Sequence, residues 1–129
     1  MHARDLRIEA WARTREACIA EAVSALVGSF AGARPLEPVA VTTFEISGAT
    51  DEELLTGVLR RVIAGIKTGG EAPVAISTTA TRTGVRMRCE TADIAGIVPA
   101  GSLPQGVSVN GARCEPTAGG WRCAVWIDV

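Results

Sequence analysis

Tyrosine is missing from this 129-residue chain, and only two phenylalanines and three tryptophans are present. A domain with so few rings lacks the aromatic platforms on which single-stranded bases stack. An excess of positive charge is missing too: the formal net charge is −1 and the isoelectric point is near 5.8. Phosphate neutralisation needs clustered Lys and Arg, so direct nucleic-acid binding is not expected. The single histidine, His2, has no second imidazole to form a metal pair, and a Ser-His-Asp triad would have to be built on it. His2 therefore reads as a terminal residue. The serines stand in no nucleophile-elbow or S-x-x-K context, and neither a P-loop nor a G-x-G-x-x-G pattern occurs. No run of about 18 apolar residues is present, which excludes a spanning helix. The opening Met1-His2-Ala3-Arg4-Asp5 lacks a signal-peptide core, so a cytoplasmic location is expected.

The four cysteines, Cys18, Cys89, Cys114 and Cys123, contain no C-x-x-C pair, which argues against a zinc knuckle or a redox dithiol. They are expected to be buried thiols. Cys114 and Cys123 fall on neighbouring strands where a disulfide is geometrically conceivable, but a reducing cytoplasm disfavours it.

What is present is the composition of an ordinary folded domain, 47% hydrophobic and 21% charged. Leu6, Ile8 and Ala10 alternate with Arg7, Glu9 and Trp11, which predicts a half-buried strand from Leu6 to Ala12. Thr14 is an N-cap for a helix over about Arg15–Ala31, with apolar residues at helical spacing and Gly32 and Pro35 as stops. Val39–Ile46 is β-branched and reads as a strand. Thr50 and Glu53 form a capping box ahead of a wide apolar stripe that ends at Gly69-Gly70. Period-two alternation returns between Pro73 and Glu90 around a turn near Arg82-Thr83-Gly84, a β-hairpin. Thr91–Pro104 reads as an irregular connection, followed by strands over Gly106–Cys114 and Trp121–Asp128. The order β-α-β-α-β-β-β-β predicts one α+β domain over residues 1–129, with two helices on an antiparallel or mixed sheet.

Acids at the two ends are the remaining chemistry. Asp128 shares strand parity with Arg122 and Trp126, and Asp5 with Arg7 and Glu9, so both point away from the apolar face. Chain ends often lie close together in small domains. If they meet here, Asp5, Asp128 and the carboxylate of Val129 converge. Carboxylates about 4 Å apart repel by about 4 kcal/mol per pair at an effective dielectric of about 20, and a divalent cation reverses that. Hard oxygen donors of this kind suit Ca²⁺ or Mg²⁺. The plainer reading is a pair of solvated surface acids.

Both ends also resemble the archease family. His2-Ala3-Arg4-Asp5-Leu6 is similar to the H-T-A-D-I portion of the family's opening motif, and Ile8 to Ala17 resembles its first strand and T-x-E-E-A helix start. Gly119-Gly120-Trp121-Arg122-Cys123-Ala124-Val125-Trp126-Ile127-Asp128-Val129 is similar to its closing G-G-W-x-A-x-V-x-x-D-I. The resemblance implies an α+β fold and a non-enzymatic accessory protein. Such a protein promotes guanylation and turnover of an RtcB-type RNA ligase in tRNA splicing or RNA repair. It also implies a divalent metal held by the positions matching Asp5, Asp128 and Val129. Three departures stand out: Met1 falls where the family has its first Asp; Gln105-Gly106-Val107-Ser108-Val109-Asn110 replaces K-A-V-T-Y-H; and the second helix reads Leu54-Leu55-Thr56-Gly57-Val58-Leu59-Arg60-Arg61-Val62. Thr91-Ala92-Asp93-Ile94 spells the family's T-A-D-I but stands after the hairpin, so Asp93 is not assigned the metal role. Two competing readings are a protein-interaction or chaperone-like domain with no metal role, and a small metal-dependent hydrolase, for which no general base is evident.

Overall fold

The computed structural model of the protein describes residues 5–32 and 35–129. The elements run β1 (Leu6–Ala12), α1 (Arg15–Ala31), β2 (Ala40–Ser47), α2 (Asp51–Gly69), β3 (Glu71–Ala80), β4 (Gly84–Asp93), β5 (Gly106–Thr117) and β6 (Gly120–Asp128). This is the expected order.

Both helices begin and end as the sequence predicts. The Thr14 hydroxyl accepts from the Ala17 amide at 3.1 Å, and the Thr50 hydroxyl accepts from the Glu53 amide at 3.1 Å. Glu53 reaches back to accept from the Ala49 amide at 3.2 Å, one residue before the expected partner. Each such cap satisfies a backbone donor that the helix itself cannot. At the other ends, Gly32 (φ 66°) and Gly70 (φ 62°) take conformations with positive φ, which suit residues without a Cβ.

The strands form two separate three-stranded antiparallel sheets, in the orders β1-β6-β5 and β2-β4-β3. The antiparallel alternative is therefore the one realised, divided between two sheets. The segment β2-α2-β3 is a split crossover, because its two strands flank β4 instead of pairing with each other.

Three boundaries differ by more than one residue from the sequence reading, the start of β3 at Glu71 instead of Pro73 being the first. β4 runs through Thr91 to Asp93, where an irregular connection was expected. The reason is that β3 starts directly after Gly70, so Glu71 pairs with Asp93 and Ile94 donates to the Gly70 carbonyl at 2.8 Å. β5 extends to Thr117, leaving only Ala118-Gly119 as the turn into β6. Pro73 lies beside a register shift on the edge strand β3, where a missing amide costs no ladder bond.

One core cluster joins both sheets and both helices. Phe30, Ile19 and Leu26 of α1 and Leu55, Leu59 and Val58 of α2 are fully buried with Met87, Val125 and Ile127. Each large side chain of this kind contributes roughly 1.5–3 kcal/mol by leaving water. Ile127 is buried and Asp128 is exposed, so the core extends to the last residues of β6.

Candidate functional site

The pairing of β1 with β6 controls the geometry of the chain-end acids. The antiparallel register sets Leu6 opposite Ile127 and Ala12 opposite Trp121. Asp5 immediately precedes β1, so the same register continued by one residue brings it alongside Asp128. On the other side of β6, Gly106 of β5 is the partner of Asp128. A Cβ at position 106 would lie 3.3 Å from the Asp128 Oδ2, so the glycine leaves room for that carboxylate. The Asp128 carbonyl accepts from the Gln105 amide at 2.7 Å, and Lys67 at the end of α2 donates to the Gln105 carbonyl at 3.3 Å.

The outer face of this sheet is polar, as strand parity predicts. Arg7 donates to Glu9 at 3.0 Å while its guanidinium lies 5.3 Å from the Trp126 ring centroid. Arg122 reaches Glu9 at 3.4 Å and Glu115 at 3.7 Å. The hydrogen bond from Arg7, and then the charge of Arg122, hold the Glu9 carboxyl below its ordinary range despite partial desolvation. Asp5 and Asp128 stand at the end of this charged face.

Among the described residues, no three His, Cys, Asp or Glu side chains gather into a metal-ligand set. A cation at this end would have two aspartates and the main-chain oxygens of Val129. That donor set is oxygen only, which fits a hard cation such as Ca²⁺ or Mg²⁺ and does not fit zinc. His2, and Met1 at the position of the family's first acid, lie outside the described residues. Asp93 ends β4 in the other sheet and accepts from the Ala95 amide at 2.9 Å, a local turn contact.

Two further groupings are present, the first foreseen in part from the neighbouring Cys114 and Cys123. All four cysteines are buried free thiols, and three of them meet. The Cys123 thiol donates to the Cys114 sulfur at 3.4 Å, and the Cys18 thiol donates to the Ala10 carbonyl at 3.3 Å. The Cys114 amide turns away from β6 to donate to Glu52 at 2.9 Å, so Cys114 and Cys123 form a non-hydrogen-bonded pair, the closer type in an antiparallel ladder. The bond to Cys114 and then burial push the Cys123 thiol far up, and burial raises Cys18. The second grouping is a cleft between α2 and the β2-β4-β3 sheet that includes Thr91. The inward parity of Met87 and Cys89 continued to 91 would have flagged that threonine. No sequence signal marks the rest of the cleft.

Two helices and two three-stranded antiparallel sheets, with β1 and β6 paired so that Asp5 and Asp128 come to one end of a sheet, define a single α+β domain. The sequence profile of the Archease protein family matches residues 1–129, and the chain belongs to that family. It is 39% identical over 128 residues to a probable protein archease found in two strains of Mycobacterium tuberculosis, covering 99% of this chain and 72% of theirs. A crystal structure of an archease and possible chaperone from Thermotoga maritima superposes with a TM-score of 0.73 at 16% identity, covering 99% of this chain and 93% of that one. The solution structure of Methanobacterium thermoautotrophicum protein 1598 gives 0.78 at 13% identity, covering 100% and 95%. At those identities the two structures bear on the fold alone.

Proposed function

We propose that this archease is a cytoplasmic accessory protein that promotes guanylation and turnover of an RtcB-type RNA ligase and does not itself carry out ligation. In this reading a Ca²⁺ or Mg²⁺ ion is held by Asp5, Asp128 and the oxygens of Val129. The observation that carries it is the β1–β6 register, which ends with Leu6 opposite Ile127 and leaves the two aspartates as the next residues of adjacent strands. The cation would supply positive charge at an end otherwise dominated by carboxylates. The protein's own residues do the rest: Gly106 leaves room beside Asp128, and Gln105 and Lys67 tie the neighbouring loop to β6 and α2.

The test is a single-turnover guanylation assay of an RtcB-type ligase with GTP, with and without this protein. Asp5→Ala and Asp128→Ala should each abolish the stimulation while circular dichroism stays unchanged. Stimulation retained in both variants would remove the metal role. Calorimetric titration with Ca²⁺ and with Mg²⁺ supplies the direct readout. The second reading is a chaperone-like interaction domain, favoured by the description of the Thermotoga relative as a possible chaperone. Absence of saturable cation binding, together with an unstimulated ligase, would select it.

A further inference from the structure

The cleft between α2 and the β2-β4-β3 sheet lies in the sheet that does not hold the chain-end acids. It is lined by Thr42, Phe44, Arg61, Gly65, Cys89 and Thr91, among others, and encloses about 290 Å³ counting its open mouth. Three observations there are independent of one another.

Thr91 is 4% exposed, and its hydroxyl has no hydrogen-bond partner among the described residues. It is the one buried side-chain polar atom in that condition among them. Buried hydroxyls are nearly always paired, so an orphan in the wall of a cleft points to a partner that enters the cleft. Arg61 lies over the Phe44 ring at 5.0 Å and makes no ion pair among the described residues. Burial pushes the Cys89 thiol up, and the charge of Arg61 offsets part of that rise, so the guanidinium is felt within the cleft. Finally, position 65 is glycine. A Cβ there would stand in ordinary contact, 3.8 Å from the Glu71 carbonyl oxygen and 4.0 Å from Arg61 Nη1, so alanine would fit and only a longer side chain would extend toward these cleft-lining groups. Glu71 also lines the cleft, with its carboxylate turned over Gly69 at 3.6 Å from the Cβ position there.

We propose that this cleft binds a single carboxylate group, held by the guanidinium of Arg61 and the hydroxyl of Thr91. A guanidinium and a hydroxyl donating to one carboxylate is a charge-assisted pair, stronger than its neutral equivalent. The enclosed part of the cleft has room for little more than a water-sized group. The occupant is thus a head of a few atoms, such as the end of an acidic side chain or a small free acid. The proposal does not rest on the metal site or on the ligase.

The experiment is an amide-resolved NMR titration of the whole protein at constant ionic strength with three probes: sodium acetate, a glutamate residue blocked at both ends, and acetamide. Acetate should shift the Gly65, Cys89 and Thr91 amides saturably, and acetamide, with the same shape and no charge, should not. If the blocked glutamate also binds, the site accepts the side chain of an acidic protein partner; if acetate alone binds, it takes a free small acid. Arg61→Gln should weaken acetate roughly tenfold, the loss expected for one charge-assisted hydrogen bond. Thr91→Val should weaken it too. Glu71→Gln should tighten it by removing a like charge, an effect that a merely structural role would not produce. The proposal is overturned if neither acid gives a saturable shift, if acetamide binds as well as acetate, or if Arg61→Gln leaves the affinity unchanged in a protein whose spectrum shows the native fold.

Discussion

Replacing Thr91 with valine should stabilise the protein, although it deletes a polar group from a central strand. Thr91 is 4% exposed on β4, and its hydroxyl has no partner among the described residues. Valine keeps the β-branched shape that a strand favours. A buried polar group left without a hydrogen bond costs about 1–3 kcal/mol. Because the cleft beside Thr91 opens to solvent, the lower figure applies, about 1 kcal/mol in favour of valine. A chain of this length gains about 0.27 kcal/mol of unfolding entropy per kelvin near its midpoint, so that difference raises the melting temperature by about 4 °C. Thr56 provides the internal control. It is also buried, but its hydroxyl donates to the Glu52 carbonyl at 3.0 Å. Thr56→Val gives up that bond and should cost about 0.5 kcal/mol. Urea unfolding followed by circular dichroism reads both variants. A Thr91→Val protein that melts lower than wild type would mean the hydroxyl has a partner, and the reasoning about the cleft would fail with it.

Three other outcomes follow from single contacts. Thr14→Ala removes the side-chain cap of α1 and should lower the unfolding free energy by about 1 kcal/mol, measured by urea titration. Gly84→Ala should be far more costly, roughly 2 kcal/mol or more, because a Cβ there overlaps the Ile46 carbonyl oxygen of β2; a variant as stable as wild type would contradict the observed β2–β4 pairing. The Glu9 carboxyl titrates below its ordinary value of 4.5 in the folded state, first through Arg7 and then through Arg122. A depressed carboxylate lends stability above the unfolded-state value, and that stability disappears as pH falls through the folded-state value. Glu9→Gln should therefore reduce the difference in urea midpoint between pH 7 and pH 3.5, whereas equal differences would show that the Arg7–Glu9–Arg122 contacts contribute nothing measurable.

Helices and strands were legible wherever a local signal was complete. Thr14 and Thr50 cap where a hydroxyl before an apolar-periodic run should cap, and the alternation in Leu6–Ala12 is the alternation of burial in β1. Division into two sheets was not legible, since pairing is a tertiary choice and both β1 and β2 carry the pattern of a half-buried strand. The end of β4 is set too early by the sequence because Gly96, Pro99, Gly101 and Pro104 mark Thr91–Pro104 as one irregular stretch. What extends the strand is Glu71 opposite, placed there by the left-handed Gly70, and no reading of residues 91–93 alone contains that partner. The acids were found by strand parity and by family resemblance. The thiol grouping was half found: the Cys114–Cys123 neighbourhood follows from the hairpin, while Cys18 arrives from α1. Arg61, Gly65 and Phe44 gave no warning, as each is ordinary for its own element.

One of the segments at which this chain departs from its family lies beside Asp128. Gln105–Asn110, which stand where the family carries Lys, Tyr and His, contain the start of β5, and β5 is the strand beside Asp128. The ladder to β6 holds at Gly106, Val107 and Ser108 and resumes only at Arg113, with Gly111 at φ 79° in the gap. A segment whose backbone is not fully paired with its neighbour can change side chains at little cost to the sheet. The aspartate it flanks sits on β6, the central strand of its sheet, just after the fully buried Ile127. In the proposed function, side chains along β5 can therefore diverge while the core holds Asp128 in place. By that argument, restoring lysine at position 105 should alter ligase stimulation without altering cation affinity; a change in both would mean that the β5 segment belongs to the cation site itself.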